Sequence, residues 1–291
     1  MTITHAQLRA FHAVASEASF TRAADALHVT QPTLSAQVKS LEESYGVLLL
    51  DRGGRRTEPT ELGRQLLAVT RLYFGLETEA EQLLAATRGL RGGHLRVGAD
   101  APQHVMAELS AFQRRYPGVR LSLSIGNSEE VLHQLLDHRS DVAIVADLED
   151  DPRLFMRPLR RDHLIAFVER SHEWATRDAI GLDALLDQRL ILREVGSTTR
   201  RAFEAAVARS GRAIGEVLEI GSREGVREAV AAGLGVGLVT AFEFGHDERL
   251  HALPIEGVDI AMIEYVACLA DRRDLRVVRA FFHVVPPLAG P

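Results

Sequence analysis

The chain has 291 residues, of which 46% are hydrophobic and 25% charged, and its formal net charge is −6 at pH 7. These values are typical of an ordinary globular protein of about two domains, and the acidic balance argues against a general nucleic-acid coat protein, which needs a broad basic surface. No run approaches the roughly 18 apolar residues of a membrane span, and no signal segment is recognisable. The single cysteine, Cys268, excludes a disulfide framework and a cysteine metal site. We therefore expect a cytosolic protein without membrane contact.

Three short helices are predicted near the N-terminus, each from an apolar stripe at helical spacing. The stripes are Leu8, Phe11, Val14 and Ala15, then Phe20, Ala23, Ala24 and Leu27, then Leu34, Val38, Leu41 and Tyr45. Ser19 and Thr30 are the candidate N-caps of the second and third helices, and Pro32 falls in the first turn of the third. Only residues 28–30 separate these two helices, which is typical of a helix-turn-helix that places a recognition helix in the DNA major groove.

The third helix carries a small, polar face opposite its apolar stripe. At about 100° per residue, that face contains Pro32, Thr33, Ala36, Lys39 and Ser40, and it can approach a base edge. Lys39 is the only lysine in the chain. An ordinary helical hairpin with a solvated outer face would show the same pattern, so this stretch alone leaves both interpretations open.

A basic turn follows the third helix. The apolar run 47–50 leads into D-R-G-G-R-R-T-E-P, in which two glycines supply a hairpin turn that carries Arg52, Arg55 and Arg56. The alternative is a solvated surface loop. Beside a candidate recognition helix, the arginines favour a wing that contacts phosphates or the minor groove.

Residues 60–91 predict one long linker helix that ends at Gly89, followed by a flexible Gly92-Gly93 joint. An apolar seam with alternating spacings of four and three runs along it: Leu62, Leu66, Val69, Tyr73, Leu76, Ala80 and Leu83. The seam could pack within its own chain. Pairing of two copies is favoured, because it would deliver two DNA-reading units to a palindromic site.

From His94 onward, predicted strands alternate with predicted helices. The strands are Leu95–Gly98, Val119–Ile125, Val142–Ala146, Leu164–Val168, Leu190–Leu192, Val217–Ile220, Val236–Val239 and Ile260–Leu269. The helices are Val105–Tyr116, Glu129–Asp137, Thr199–Ser210, Arg223–Ala232 and Leu275–Val285. This alternation is typical of an α/β domain with mainly parallel sheets, and its length fits two small lobes with a cleft between them.

The order of these parts resembles that of LysR-type transcriptional regulators. The resemblance covers the whole chain and is carried by T-Q-P-T-L-S-A-Q at 30–37, the arginine wing, T-E-L-G at 60–63, the linker helix and the α/β region. It implies an α/β protein with an all-α N-terminal part: a winged helix-turn-helix at 1–59, a linker and dimerisation helix at 60–91, and an effector domain at 92–291. The effector domain would be two-lobed and periplasmic-binding-protein-like, with lobe I at 92–162 and 267–291 and lobe II at 163–266. Implied partners are operator DNA, a small-molecule effector, RNA polymerase for an activator, and further copies in a homodimer or homotetramer.

By this resemblance, the DNA-reading positions of the third helix are Gln31, Pro32, Thr33, Ser35 and Ala36, and the wing contacts DNA through Arg52, Arg55 and Arg56. We add Lys39 to the candidate DNA contacts, because it lies on the outward face of the same helix. Leu50 stands where many members carry phenylalanine. Ala36 stands where many carry arginine, which puts one forked base contact in doubt and shifts specificity toward the neighbouring polar side chains.

Effectors of open α/β sheets bind beyond the carboxyl ends of the strands. The candidate effector residues are Asp100, Ala101, Asn127, Ser128, Asp147, Ser197, Thr198, Thr199, Arg223 and Thr240. The run G-S-T-T-R-R opens a helix with three hydroxyls, and Arg223 opens another, which favours an anion site, although helix capping explains one hydroxyl. The two aspartates could meet a cationic group or could be helix caps or surface turns, so the set suggests a small anionic or zwitterionic effector.

Four runs are similar to the LysR subgroup associated with 2-aminoethylphosphonate catabolism: H-L-R-V-G-A-D-A-P, I-G-N-S-E-E-V, R-E-V-G-S-T-T-R-R-A-F-E and I-G-S-R-E-G-V-R-E-A-V-A-A-G-L-G-V-G-L-V. This resemblance implies an aminoalkyl phosphonate, such as 2-aminoethylphosphonate, as the effector.

An enzyme is not expected. G-L-G-V-G-L-V at 233–239 follows a predicted helix and precedes a strand, the reverse of a dinucleotide-binding loop. The chain has no G-x-S-x-G, P-loop or H-E-x-x-H motif, and its 12 histidines show no metal spacing, so no cofactor or metal is expected. The alternative is a cytosolic small-molecule binding protein without a transcriptional role.

Overall fold

The computed structural model describes residues 2–51, 57–85 and 92–288. They form two compact units, Met1–Ala85 and Ala86–Pro291, which are described separately below. The wing residues Arg52, Arg55 and Arg56 lie outside the described residues, as does the predicted helix end at Gly89. In the three described ranges, no helix combines the length and apolar character needed to span a membrane.

The first unit is a winged helix-turn-helix followed by a long helix, as predicted. Its elements are α1 His5–Glu17, α2 Phe20–Leu27, α3 Gln31–Tyr45, β1 Leu50–Asp51, β2 Glu58–Pro59 and α4 Glu61–Ala85. The strands β1 and β2 pair antiparallel and form the base of the wing. The core between the helices contains Phe11, Leu34, Val38 and Leu41, each no more than 2% exposed.

Side-chain caps start the two helices of the helix-turn-helix, which confirms the two predicted N-caps. Ser19 Oγ accepts a hydrogen bond from the backbone N of Arg22 at 3.3 Å, and Thr30 Oγ1 accepts one from the backbone N of Thr33 at 3.4 Å. The turn between them is short because α2 ends on His28, whose backbone is left-handed with φ 55°. These local signals explain why the prediction was accurate here.

The second unit alternates strands and helices. Its strands are β3 His94–Ala99, β4 Arg120–Ile125, β5 Val142–Ala146, β6 Leu154–Glu169, β7 Ile180–Gly181, β8 Leu190–Leu192, β9 Val217–Glu219, β10 Val236–Thr240, β11 Leu250–Glu256 and β12 Ala261–Leu269. Its α-helices are α5 Met106–Arg115, α6 Ser128–Leu136, α7 Leu182–Leu186, α8 Thr198–Arg209, α9 Arg223–Ala231, α10 Ala241–Phe244 and α11 Arg276–Val284. The strands run in the order β4-β3-β5-β12-β6-β10-β8-β9, and β11 pairs with β6 and β7.

The order of pairing divides this unit into the two lobes that the resemblance implied. In the first lobe β4, β3 and β5 are parallel, with α5 and α6 as crossovers, and in the second lobe β9, β8 and β10 are parallel, with α8 and α9 as crossovers. Each lobe has its own core, around Phe112 and Phe281 in the first and around Trp174 and Phe203 in the second. The carboxyl ends of the parallel strands carry the polar residues described below.

The strand β6 joins the lobes and is three times longer than its predicted segment, 164–168, since it has 16 residues. Its first part pairs antiparallel with β12 in the first lobe, and its last part pairs antiparallel with β10 and β11 in the second. The first part was missed because it is polar and contains Pro158. This proline lies beside Leu159, the extra residue of β6 at its register shift against β12, where proline is tolerated. The antiparallel pairs also make the sheet mixed, whereas mainly parallel pairing was predicted.

Candidate functional site

The candidate DNA-reading face is the solvent side of α3. Among the predicted contacts, five are exposed and one is half-buried: Gln31, Pro32, Thr33, Ala36 and Lys39 are exposed, and Ser35 is half-buried. The Thr33 hydroxyl lies 2.8 Å from that of Thr30, so it belongs to the N-cap as well as to the outer face. Lys39 Nζ lies 3.5 Å from Glu43, a pair exposed on both sides that leaves the ammonium free to exchange partners.

Helix α4 packs one side on the helix-turn-helix and leaves the predicted seam in solvent. Leu67 and Thr70 are buried against α1, where the Thr70 hydroxyl lies 3.0 Å from His12 Nδ1. Burial, helped by the Arg71 charge, lowers the pKa of His12 to about 4. On the other side, Val69 is 62% exposed and Leu76 is 51% exposed.

A buried cluster of ionisable groups lies between the two lobes of the second unit. The His104 imidazole of the first lobe lies between carboxylates: Nδ1 is 3.3 Å from Asp100 Oδ1 and 2.9 Å from Glu264 Oε2, and Nε2 is 3.4 Å from Glu243 Oε1. Arg223 of the second lobe donates from Nε to Glu243 Oε2 at 2.7 Å and from Nη1 to the Asp100 backbone oxygen. The lobes are therefore joined by direct polar contacts.

Neighbouring charges and burial set the protonation states in this cluster. Burial alone lowers the pKa of His104, but hydrogen bonds with Asp100 and Glu264, with the charges of Glu264 and Glu243, outweigh it and raise the pKa to about 10. Burial raises the pKa of Asp100, yet the His104 hydrogen bond and the Arg223 charge hold it below its usual value. Burial and the Asp100 charge raise the pKa of Glu264 to about 8. The carboxylates around His104 therefore favour its imidazolium form at neutral pH, and burial favours the neutral form of Glu264.

Ligand atoms of Asp100, His104 and Glu243 all lie within 4.8 Å of one another, the spacing of a metal site. A protonated imidazole has no lone pair for a metal, and Arg223 already neutralises Glu243. The cluster therefore fits an internal ion network better than a cation site.

Most of the predicted effector residues converge on this cluster. Six of them line the cavity between the lobes: Asp100, Ser128, Thr198, Thr199, Arg223 and Thr240. Four of the six stand at the first turns of α6, α8 and α9, whose N-termini add partial positive charge to this end of the cleft. The prediction from strand ends therefore located the cleft, because parallel strands bring their carboxyl ends to one edge.

The other four predicted effector residues do not line this cavity. The Asn127 side chain caps α6 by accepting from the Glu130 backbone N at 2.9 Å, and Ser197 is the buried N-cap residue of α8. Asp147, with φ 48°, accepts from the Ile263 backbone N at 2.9 Å and so extends the pairing of β5 with β12. Ala101 is fully buried beside Asp100. Asp147 therefore lies in a turn, as one of the predicted alternatives had it, and does not line the cavity.

Five polar residues of the cavity were not predicted: His104, Arg160, Asp162, Glu243 and Glu264. Glu264 was detectable in principle, since it is the lone charged residue in the otherwise apolar β12, with its side chain only 5% exposed. The others gave no local signal.

The cavity between the lobes is closed in this structure. Its volume is ≈ 10 Å³, about the space for the centre of one water molecule. A larger cavity of ≈ 380 Å³ adjoins it, and both cavities are lined by Thr199, Arg223 and Glu243. The larger cavity continues toward Arg193, Phe167 and Arg227. Together the two cavities reach the size of an ordinary small-molecule site.

Both units match known families. Residues 5–64 match the bacterial regulatory helix-turn-helix proteins of the lysR family, and residues 88–287 match the LysR substrate binding domain. The chain belongs to the LysR family. It is therefore a LysR-type transcriptional regulator with an effector-binding domain, as the resemblance implied, and not a binding protein without a transcriptional role.

Individual LysR proteins resemble it over most of their length. The RuBisCO operon transcriptional regulator of Acidithiobacillus ferrooxidans is 33% identical over 97% of this chain and 94% of its own. Full-length OxyR from Pseudomonas aeruginosa shares the fold, with a TM-score of 0.76, 22% identity, and 98% and 95% of the two chains covered. The Synechocystis PCC6803 CcmR regulatory domain in complex with 2-PG is 29% identical, with a TM-score of 0.61, covering 66% of this chain and 95% of that one. These relatives are transcriptional regulators, in agreement with the prediction that the chain is not an enzyme. None of the names of these three relatives refers to a phosphonate.

Proposed function

We propose that this LysR regulator is a cytosolic protein that reads operator DNA through the outer face of α3 and responds to a small anionic metabolite bound between the lobes. The anionic effector is supported above all by one observation. The first turns of three helices and the cations Arg223 and His104 meet at the closed cavity. An effector that changes the contacts between lobes alters DNA binding only through its different affinity for the two arrangements.

The exposed seam of α4 supports assembly through this helix. Leu62, Val69, Tyr73 and Leu76 are each at least 44% exposed, although they are large apolar side chains on one face. A surface of this kind is stabilised by pairing with another helix. A homodimer or homotetramer would present two or more copies of α3 to a palindromic operator, and an activator would in addition contact RNA polymerase.

Replacing Thr33 with alanine is expected to weaken specific operator binding by about 1–3 kcal/mol, because the exposed hydroxyl can hydrogen-bond a base edge. The measurement is a salt-controlled titration against the operator and against unrelated DNA. Thr33→Ser is the matched control, since it keeps the hydroxyl and its contact with Thr30. Equal losses in the alanine and serine variants, or no loss in either, would move base reading to other residues of α3.

The structure favours a simple anion over the zwitterion suggested by the sequence. The Asp100 carboxylate already accepts from the Ser128 hydroxyl at 2.8 Å and from the Ala146 backbone N at 3.0 Å, and it faces His104. Little acceptor capacity is left for a ligand's ammonium group. The CcmR relative holds 2-PG in its regulatory domain. We therefore propose an anionic effector of this chemical class, with 2-aminoethylphosphonate as the competing candidate.

Thermal denaturation in the presence of 2-PG, inorganic phosphate or 2-aminoethylphosphonate distinguishes these candidates. We expect 2-PG to raise the Tm by several degrees at saturating concentration, and 2-aminoethylphosphonate to raise it less. Arg223→Lys keeps the charge but loses the forked donor. About ten times more 2-PG should therefore be needed to raise the Tm of this variant by the same amount. Stabilisation by 2-aminoethylphosphonate alone would restore the phosphonate assignment, and stabilisation by none of the three compounds would overturn an effector of this anionic class.

A further inference from the structure

Glu243 lies between a cation of each lobe. Its carboxylate accepts from Arg223 Nε at 2.7 Å and from Arg223 Nη2 at 3.1 Å, and its Oε1 lies 3.4 Å from Nε2 of the His104 imidazolium. The Glu243 side chain is 3% exposed, so these contacts are shielded from water. Arg223 and His104 are the cations that an anionic effector would need, and the Glu243 carboxylate already contacts both.

Glu243 also borders both cavities. It lines the closed cavity of ≈ 10 Å³ and the adjoining cavity of ≈ 380 Å³. Arg223 and Thr199 line both as well, so the same cation and hydroxyl are reached from either side. Removing the Glu243 carboxylate from this position would connect the cavities and expose Arg223 and His104 to whatever enters.

We propose that Glu243 is an internal anion that occupies the anionic subsite of the effector, so that the effector binds by displacing Glu243 from Arg223 and His104. The inference rests on the proposed function, since it needs an anionic effector in this cleft. A phosphate group carries up to two charges and three acceptor oxygens, so it can satisfy both cations more fully than one carboxylate. Weak monoanions would fail to displace Glu243, which makes this residue a determinant of effector specificity.

Glu243 lies on a short helix. Helix α10 has only four residues, and Gly245 ends it with φ 61° and ψ −144°, a conformation that glycine adopts readily. The exposed Phe242 of the same helix stacks under Arg160, whose guanidinium carbon lies 3.4 Å from the ring centroid. Displacement of Glu243 therefore also shifts the aromatic partner of Arg160.

Arg160 then supplies a second contact for the effector. Its Nη1 is buried and has no hydrogen-bond partner among the residues that the structure describes, and Arg160 lines the closed cavity. A buried donor without an acceptor is costly, and an acceptor group on the ligand removes that cost. The site thus fits a small ligand with two anionic ends, one at Arg223 and His104 and the other at Arg160.

Chemical rescue tests the subsite without knowledge of the natural effector. In Glu243→Ala, acetate can take the place of the lost carboxylate, so about 100 mM sodium acetate should raise the Tm by about 2 °C or more relative to sodium chloride. The wild type and Glu149→Ala should show no such difference. Glu149 is the matched control, because it is an exposed acid of the same unit that lines neither cavity. Equal responses to acetate and chloride in a folded Glu243→Ala protein would overturn the internal anion.

Affinity measurements with 2-PG and inorganic phosphate provide the second test and use Glu243→Gln, which preserves side-chain length and a hydrogen bond to Arg223. We expect this variant to bind 2-PG about tenfold more tightly than the wild type, and Glu149→Gln to change affinity less than twofold. Binding by the wild type with no gain in Glu243→Gln, or with an equal gain in Glu149→Gln, overturns the internal anion and leaves the anionic effector in place. Binding by neither the wild type nor Glu243→Gln, together with no acetate rescue, overturns both.

Discussion

Replacing Gly63 with alanine is expected to destabilise the N-terminal unit by on the order of 3 kcal/mol or more and to abolish operator binding. A Cβ at this position would overlap the Leu49 carbonyl oxygen and crowd Pro59. The Leu49 backbone has little freedom to retreat. Its oxygen accepts from the Thr60 backbone N at 3.0 Å, and its N donates to the buried Glu42 carboxylate at 2.8 Å. The glycine of T-E-L-G therefore lets the start of α4 pack directly against the base of the wing.

Urea denaturation followed by circular dichroism, with a mobility-shift assay in parallel, measures this effect. Gly46→Ala is the control in the same unit, because Gly46 has φ 65° with nothing within 4 Å of an added Cβ. It should cost about 1 kcal/mol from backbone strain alone and should retain operator binding. A Gly63→Ala protein with wild-type stability and operator affinity would mean that the wing and α4 are free to separate.

Replacing Asp100 with alanine is expected to destabilise the effector-binding unit by about 3–5 kcal/mol at pH 7, because it leaves a buried imidazolium with fewer carboxylate partners. The carboxylate also accepts from the Ser128 hydroxyl and the Ala146 backbone N, which would lose their acceptor. Thermal denaturation measures the loss, and Asp150→Ala, at an exposed acid in the same unit, should stay within about 0.5 kcal/mol of the wild type.

The stability lost in Asp100→Ala should depend on pH, and the directions of the pKa shifts of Asp100 and His104 predict how. The folded-state pKa of Asp100 is depressed, so its contribution is present at neutral pH and is lost as the pH falls through that pKa. The folded-state pKa of His104 is raised to about 10, so the contribution of the imidazolium is present below its unfolded value of about 6.5 and is lost as the pH rises through 10. The Asp100→Ala penalty should therefore be smaller near pH 10 than at pH 7. A penalty that is constant across this range would contradict an imidazolium at His104.

The sequence predicts a helix or strand well when the interactions that define it lie within a few residues. The helices α2 and α3 were predicted with their N-caps because Ser19 and Thr30 act on backbone groups three residues away. The predicted bounds of β5 and β8 agree with the structure, since both are short, continuous apolar runs buried on both faces. The first part of β6 was missed because its partner, β12, lies almost a hundred residues later and no local pattern reveals that pairing.

The effector site shows the same division. Strand ends pointed to Asp100, Ser128, Thr199 and Arg223, because the edge of a parallel sheet follows from the order of strands and helices. The Glu243 carboxylate was missed, since its role depends on a contact with His104 across the cleft. The sequence around Glu243 indicates only a short helix after a strand.

The sequence by itself determined the helix-turn-helix, the amphipathic linker helix and the alternation of strands and helices, because periodicity and caps act within a few residues. Its resemblance to LysR-type regulators implied the wing and the two-lobed effector domain. Only the tertiary structure decided how the cleft is charged. Burial and long-range packing assemble Asp100, His104, Arg223, Glu243 and Glu264 into one network, in which the Glu243 carboxylate contacts both Arg223 and His104. In a buried site, the neighbours of a charge and their distances set its protonation state, and those neighbours come from distant parts of the chain.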